Sequence, residues 1–286
     1  MGQQDNNSKL TMETPETIPY EYVTRSLSFD PRKSTFTMFL ETILDPLVVE
    51  GLVDQYQLGV TKSGDVVFFQ IDKEGQCRTG KIVKFDPVTG NRIKDGSSPC
   101  PIIWIHTLLK RKGLLPEEWE LSQCLFGEHL LAKYPDRAVA LVESEQTAII
   151  CAGFLSEYIW LATGGKTILG DKLDVLSGRK VVAYPDIDAY DYWFERLSTY
   201  PNISVSNCLQ QLAGGNPSSC YMDLADLILD GPQQGPKKNL TFQQIKRYIS
   251  PEYHSEAEAL INDLGLELLG VDTVPEDKET SSHSAE

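Results

Sequence analysis

The sequence predicts an α/β fold: a mostly parallel sheet flanked by helices, preceded by a small α+β lobe and followed by a short helical unit. Three observations predict it. Residues 138–142 (Ala-Val-Ala-Leu-Val) and 180–184 (Lys-Val-Val-Ala-Tyr) are short, mainly apolar runs bounded by polar turns, as in strands buried on both faces of a parallel sheet. From 138 to about 230, strand-like and helix-like segments alternate, which predicts βαβ units. Both apolar runs end in carboxylates, Glu143-Ser144-Glu145 and Asp186-Ile187-Asp188. In open α/β sheets, ligands bind beyond the carboxyl ends of the strands.

Residues 1–28 are polar and are expected to form a disordered segment. Apolar i, i+3, i+4 spacing predicts two short helices over 35–56, broken near Asp45-Pro46. Strands are expected at 65–71 and 78–85, separated by the Lys73-Glu74-Gly75 turn and followed by the Asp86–Asn91 turn. They form a small antiparallel sheet of two or three strands. A loop and a short helix around Trp104–Lys110 complete the lobe, 29–120. The second domain, 121–231, begins with a helix end at 128–134. It continues with the 138–142 strand, a crossover helix at 147–154 and a strand at 158–162. A short helix at 173–176, the 180–184 strand, a helix at 189–198, a strand at 203–205 and a helix from 222 follow. Gly231–Lys238 reads as a linker, 239–270 as a unit of two amphipathic helices (241–249 and 255–264), and 273–286 as a disordered acidic tail.

The chain has 286 residues, enough for one large or two modest domains. Its 41% hydrophobic and 23% charged content fits a soluble globular protein. No apolar run approaches the roughly 20 residues that span a bilayer, and Met1–Ser8 has no signal-peptide core. A cytoplasmic location with no membrane partner is expected. None of the six cysteines forms a Cys-x-x-Cys pair and the four histidines lack zinc-ligand spacing, which disfavours a zinc site. The net charge of −15 is uneven: basic residues outnumber acidic ones over 31–115, and acidic ones dominate from 116 onward. Such a chain has no general attraction to phosphate backbones.

Asp186 and Asp188, two apart on an extended turn, point to one side, and a cation would relieve their repulsion. A helix N-cap or an exposed turn explains them equally well. By the same alternation Glu143 and Glu145 share a face, suited to general acid/base work or to solvation alone. Asp223 and Asp226 share a helix face, where they suit a metal or simply the helix N-terminus. Gly165-Lys166-Thr167 is not a P-loop, because Trp160 stands where that motif needs glycine. Gly164 and Gly165 predict a tight turn with close backbone approach, and Lys166 is a candidate phosphate ligand. Lys81, Lys84, Arg92 and Lys94 either guide a nucleic-acid strand or form a solvated sheet face.

In this order the three acidic clusters resemble the Toprim domain, the metal-dependent module of DnaG-type primases, topoisomerases and related nucleases. Glu143 in Leu141-Val142-Glu143-Ser144-Glu145-Gln146-Thr147-Ala148 matches its strand-end glutamate. Asp186 and Asp188 match its Asp-x-Asp, and Asp223 with Asp226 its later acidic stretch. Residues 58–75 resemble the β-rich lobe that precedes Toprim in DnaG-type primases, and Leu125-Phe126-Gly127 the link between the lobes. The similarity spans roughly 30–230. It is closest to Toprim proteins of bacterial mobile elements with Val-Glu-Ser-Glu-x-Thr-Ala and Trp-Leu-Ala-Thr-Gly-Gly patterns. Ser144 stands where the primase pattern has glycine, Ala189-Tyr190 where it has Ala-Gly, and no zinc ribbon or helicase-docking domain is recognisable.

The resemblance implies primase-like nucleotidyl transfer in replication or transfer of a mobile element. Mg²⁺ or Mn²⁺ would be held by Asp186 and Asp188 with Asp223 or Asp226, and Glu143, with Glu145 in reserve, would be the general acid/base or a further ligand. The implied partners are single-stranded DNA, nucleotides and a helicase or other replication protein. The alternatives are a Toprim nuclease and a catalytically degenerate binding module.

Overall fold

A computed structural model describes residues 16–94, 102–167, 169–213 and 223–230, with Ser255 and the strand residues 239–240 and 268–269. The chain divides into two compact units, Met1–Ile228 and Leu229–Glu286. The two lobes expected at 29–120 and 121–231 fall, up to residue 228, in the first.

The segment before residue 29 is not wholly disordered. Helix α1 spans Glu21–Leu27 and buries Val23. Ile18 donates its N–H to the carbonyl of Cys77 at 2.8 Å, and both residues join a core with Val67, Phe69, Ile71 and Leu109. An apolar Ile-x-x-x-x-Val spacing inside a polar stretch explains both the order and why composition hid it.

Two helices follow, α2 (Thr35–Ile43) and α3 (Pro46–Tyr56). Ser34 caps α2 by accepting from Thr37 N–H at 3.1 Å, and Asp45 caps α3 by accepting from Leu47 N–H at 2.8 Å. Pro46 at the first turn of α3 lacks only a donor that has no helical partner. Their apolar faces bury Phe36, Phe39 and Leu40, then Val49, Leu52, Val53 and Tyr56.

These helices pack on an antiparallel sheet of four strands rather than two or three: β1 (Gly59–Val60), β2 (Val66–Ile71), β3 (Cys77–Val83) and β4 (Ile103–Trp104), paired in that order. The extra strand β4 pairs Lys81 with Trp104. Two residues are too short to show alternation, so β4 is invisible to periodicity. Helix α4 (Ile105–Arg111) follows it.

The second sheet is parallel throughout, in the order β6-β5-β7-β8: β5 (Val139–Val142), β6 (Ile159–Ala162), β7 (Val181–Ala183) and β8 (Ile203–Val205). Every residue of β5 and β6 is buried, as their unbroken apolar runs require. Helices α5 (Leu130–Lys133), α6 (Glu145–Phe154), α7 (Tyr190–Leu197), α8 (Cys208–Ala213) and α9 (Leu224–Asp230) complete the unit, with a 3₁₀ turn at Asp171–Leu176. Helix α8 is an addition to the elements the sequence predicts.

The two sheets meet through aromatic side chains. Phe68 of β2 lies edge-on to Phe126 at 5.6 Å, Phe126 stacks on Tyr56 at 5.5 Å, and Tyr56 donates to the Trp160 carbonyl at 3.1 Å. Phe126 also exchanges backbone hydrogen bonds with Ala162, extending the parallel sheet by one antiparallel bridge. Gly127 makes this close passage possible. It has φ +81°, and a Cβ there would lie 3.1 Å from Leu161, the Trp160 carbonyl and Tyr56.

In the second unit the described residues include strands β9 (Asn239–Leu240) and β10 (Leu268–Leu269), paired antiparallel, where the sequence predicts only helices. Apart from the helical Ser255, the expected helices at 241–249 and 255–264, the linker, the tail and residues 1–15 lie outside the described residues. Among the described residues no helix is long and apolar enough to cross a membrane.

Gly127→Ala is expected to lower the unfolding free energy by at least about 1–2 kcal/mol, the cost of left-handed backbone for a residue with a Cβ. Chemical denaturation followed by Trp fluorescence reads this directly.

Candidate active site

The carboxyl ends of β5 and β7 bring two acids together. Beyond Val142, the pairing with β6 continues: Thr163 N–H donates to the Val142 carbonyl at 3.0 Å and Gly164 N–H to the Glu143 carbonyl at 2.9 Å. Beyond Ala183, Tyr184 N–H donates to the Leu141 carbonyl at 2.8 Å. This register sets Asp186 beside Glu143, and Asp186 N–H donates to Glu143 Oε1 at 3.2 Å. Glu143 is buried and Asp186 half-buried.

Both carboxyls resist ionisation. Burial pushes Glu143 up to about 7, with the charges of Asp188 and Asp223 adding to it against the hydrogen bond from Asp186 and the charge of Lys166. Burial pushes Asp186 up to about 8, reinforced by Glu143, Asp223, Asp188 and Asp226. Five acids, from three segments distant in sequence, therefore act on one another here.

Asp223 reaches this group through α6. Ser144 caps α6 by accepting from Thr147 N–H at 3.0 Å, and Thr147 Oγ1 donates to Asp223 Oδ2 at 2.6 Å. Asp223 N–H donates to Asp226 Oδ2 at 3.0 Å, and Asp226 N–H to Asp223 Oδ1 at 2.9 Å. This is a reciprocal cap at the start of α9, so the helix-terminus explanation of these acids holds at the same time as their proximity to Asp186. Asp188 is exposed and pairs with Lys166 at 3.1 Å, a contact of little energetic weight at a wet surface.

Glu145 does not share a face with Glu143. Chain reversal into α6 at Ser144 breaks the strand alternation, and Glu145 turns toward Lys81 of β3 at 2.7 Å. Lys81 is likewise not on a solvated sheet face. It is buried, donates to the Gly164 carbonyl at 2.9 Å and lies 5.3 Å from the centre of the Trp104 ring. The contact with Glu145 is mainly charge attraction, because Glu145 Oε1 has no hydrogen-bond partner among the described residues. Lys172 Nζ donates to the adjacent Thr163 carbonyl, and burial first, then Lys81, lowers its pKa to about 8.

Lys84, Arg92 and Lys94 are exposed, on a hairpin closed by Ile93 N–H donating to the Lys84 carbonyl at 2.9 Å. Gln146 Nε2 donates to the Gly90 carbonyl at 2.8 Å, tying this hairpin to the first turn of α6. Thr147 and Lys172 are additions to the residues singled out by spacing. Thr147 lies inside the Val-Glu-Ser-Glu-x-Thr-Ala pattern, whereas nothing local marks Lys172, whose surroundings come from segments distant in sequence.

Among the described residues, no three His, Cys, Asp or Glu side chains converge as a ready metal-ligand set. The donor chemistry nevertheless fits a hard cation. Every candidate ligand is an oxygen, and Mg²⁺ commonly takes one or two carboxylates, with water and phosphate completing its shell.

Two outcomes follow from the electrostatics. Glu143 and Asp186 hold protons more tightly folded than unfolded, so their contribution to stability is full below about pH 4 and is lost as the pH rises toward 8. Without divalent ions, Asp186→Asn should be more stable than wild type at pH 8, by on the order of 1–2 kcal/mol, and match it near pH 4. Scanning calorimetry at the two pH values tests this. Lys81→Met should cost about 3–5 kcal/mol by stranding the Glu145 charge. Lys81→Met/Glu145→Gln should recover much of that in the same measurement.

Among solved structures, the chain is similar to the primase fragment of the bacteriophage T7 primase-helicase protein, at 13% identity and a TM-score of 0.39, over 63% of this chain and 64% of that one. It thus spans just under two thirds of the T7 fragment. It is also similar to the RNA polymerase domain of Mycobacterium tuberculosis primase DnaG, at 11% identity and a TM-score of 0.44, over 74% and 76% of the two chains. A DnaG primase catalytic domain bound to ssDNA is similar at 12% identity and a TM-score of 0.44, over 85% and 87%. A search of curated proteins found no match. Residues 34–187, from the cap of α2 through β7 to the Asp186 turn, match the family described as "Domain of unknown function (DUF6371)", and the chain belongs to that family.

Proposed function

We propose that the protein is a metal-dependent, primase-like nucleotidyl transferase acting on single-stranded DNA, with its reaction centre at Glu143 and Asp186. The observation that supports this most is the convergence of these two half-buried or buried acids at the carboxyl end of a parallel sheet, one held near neutrality. A group with a pKa of about 7 exchanges a proton readily at physiological pH. In this reading Glu143 takes the proton of an attacking 3′-hydroxyl. The oxygen bonds to the α-phosphorus of a nucleoside triphosphate, and the bond to pyrophosphate breaks with its electron pair on the leaving oxygen.

Asp186 and Asp188, with Asp223 or Asp226, would hold Mg²⁺ or Mn²⁺. Such an ion supplies charge neutralisation for the phosphoryl oxygens. Lys166, now paired with Asp188, would exchange it for a phosphate oxygen, and the exposed Lys84, Arg92 and Lys94 would meet the strand. Glu145 is excluded from proton transfer in this scheme by its pairing with Lys81. Action in a mobile element and through a helicase or other replication partner extends the same proposal.

A degenerate binding module is the second reading, favoured by the mutual capping of Asp223 and Asp226 and the Asp188–Lys166 pair. Mn²⁺ titration calorimetry on wild type and Asp186→Asn, with labelled-nucleotide incorporation on a single-stranded template, separates the two. The transferase predicts Mn²⁺ binding and incorporation, with incorporation reduced by about 100-fold or more in the variant, as for loss of an electrostatic catalytic group. Nicking of plasmid DNA without incorporation would identify a nuclease, and Mn²⁺ binding to neither protein would favour the degenerate module.

A further inference from the structure

Helix α7 begins two residues beyond Asp188 and carries Tyr190 and Phe194 one turn apart. Their rings stack, with centroids 5.8 Å apart and planes at 24°. Trp193 and Leu197 are buried on the same helix, and Trp193 Nε1 donates to the Lys166 carbonyl at 2.9 Å, so α7 is firmly held. Phe194 is nevertheless 54% exposed and Tyr190 half-buried. An ordered aromatic pair therefore faces solvent next to the turn that carries Asp186 and Asp188.

The charge around that turn gives the pair significance. The chain carries −15, Lys81 is consumed by Glu145, and Lys166 is shared with Asp188. Phosphate attraction at the carboxylates is accordingly weak, and a strand arriving there needs a grip that does not depend on charge. Stacking of bases on aromatic rings provides such a grip and tolerates any sequence, because every base has a π face.

We propose that Tyr190 and Phe194 form a base-stacking platform for single-stranded nucleic acid beside the carboxylate cluster. The choice of ligand class rests on the function proposed above. The platform holds the base of a nucleotide flanking the reaction centre.

The test is binding of a labelled oligothymidine to the full chain, followed by fluorescence anisotropy without nucleotide or divalent ion. An oligomer of the same length with abasic sites is the comparison. Phe194→Ala is expected to weaken oligothymidine binding about tenfold, within the range for one stacked base. Phe194→Trp should retain it, and the abasic strand should bind wild type weakly and be indifferent to Phe194→Ala. Circular dichroism should be unchanged, given the exposure of Phe194. A structural role in α7 would affect both oligomers alike, and that result would overturn the proposal. Equal binding by wild type and Phe194→Ala, or no binding by wild type, would overturn it as well. Because the readout needs no turnover, a protein that binds in this way but makes no primers keeps the platform and loses the transferase. An active enzyme indifferent to Phe194 does the reverse.

Discussion

The buried pair of Lys81 and Glu145 is the contact on which the site depends. It joins β3 of the antiparallel sheet to the first turn of α6, the helix that follows β5 of the parallel sheet, and Lys81 also holds the Gly164 carbonyl. Gly164 in turn holds the Glu143 backbone, so one ammonium group sets the relation between the 163–166 loop and the strand end bearing the candidate acid. A Cβ at Gly164 would lie 3.2 Å from Lys81 Nζ at a backbone φ of +89°, so the close approach requires glycine there. A buried ion pair adds little net stability over an apolar pair, but either partner alone is strongly unfavourable. Its effect here is geometric: it allows one docking of the two sheets and penalises others.

The aromatic layer of Phe36, Phe68, Phe126 and Tyr56 supplies the cohesion that this pair does not. Each ring contact contributes about 0.5–1.5 kcal/mol beyond simple burial, and the layer is continuous from α2 to the edge of β6. The stability of the docked sheets therefore comes from apolar area, and their register from one charge pair and one glycine. That division leaves the carboxylate end of the parallel sheet free to carry electrostatic tension.

That tension is the signature of the site. Glu143 and Asp186 sit where burial and neighbouring acids oppose ionisation, and the hydrogen bond that Glu143 accepts from Asp186 N–H offsets this only in part. An amide side chain, which accepts the same hydrogen bond without a charge, would be more stable at neutral pH. Acids kept in such positions suit a ligand that brings positive charge, and an all-oxygen donor set is the kind that a hard cation takes. The stacked rings on α7 add a neutral surface beside this charged one.

The sequence alone determined the strands of the parallel sheet, because burial on both faces requires the apolar runs at 139–142, 159–162 and 181–183 that a reader can see. It also determined the positions of Glu143 and Asp186, since strand ends follow from those runs. The break at Asp45-Pro46 was legible for the same local reason, a cap followed by a residue that cannot donate. Tertiary structure decided the rest. Strand β4 and the ordered α1 depend on contacts with distant residues and leave no period of their own. Glu145 could not be parted from Glu143 by alternation, because Ser144 ends the strand and starts a helix. Lys81 reads as one of several basic residues on a sheet, and only the docking of two sheets, an event between residues 64 positions apart, buries it against Glu145. Local spacing specifies which face a side chain occupies within an element, whereas its charge partner is specified by how the elements pack.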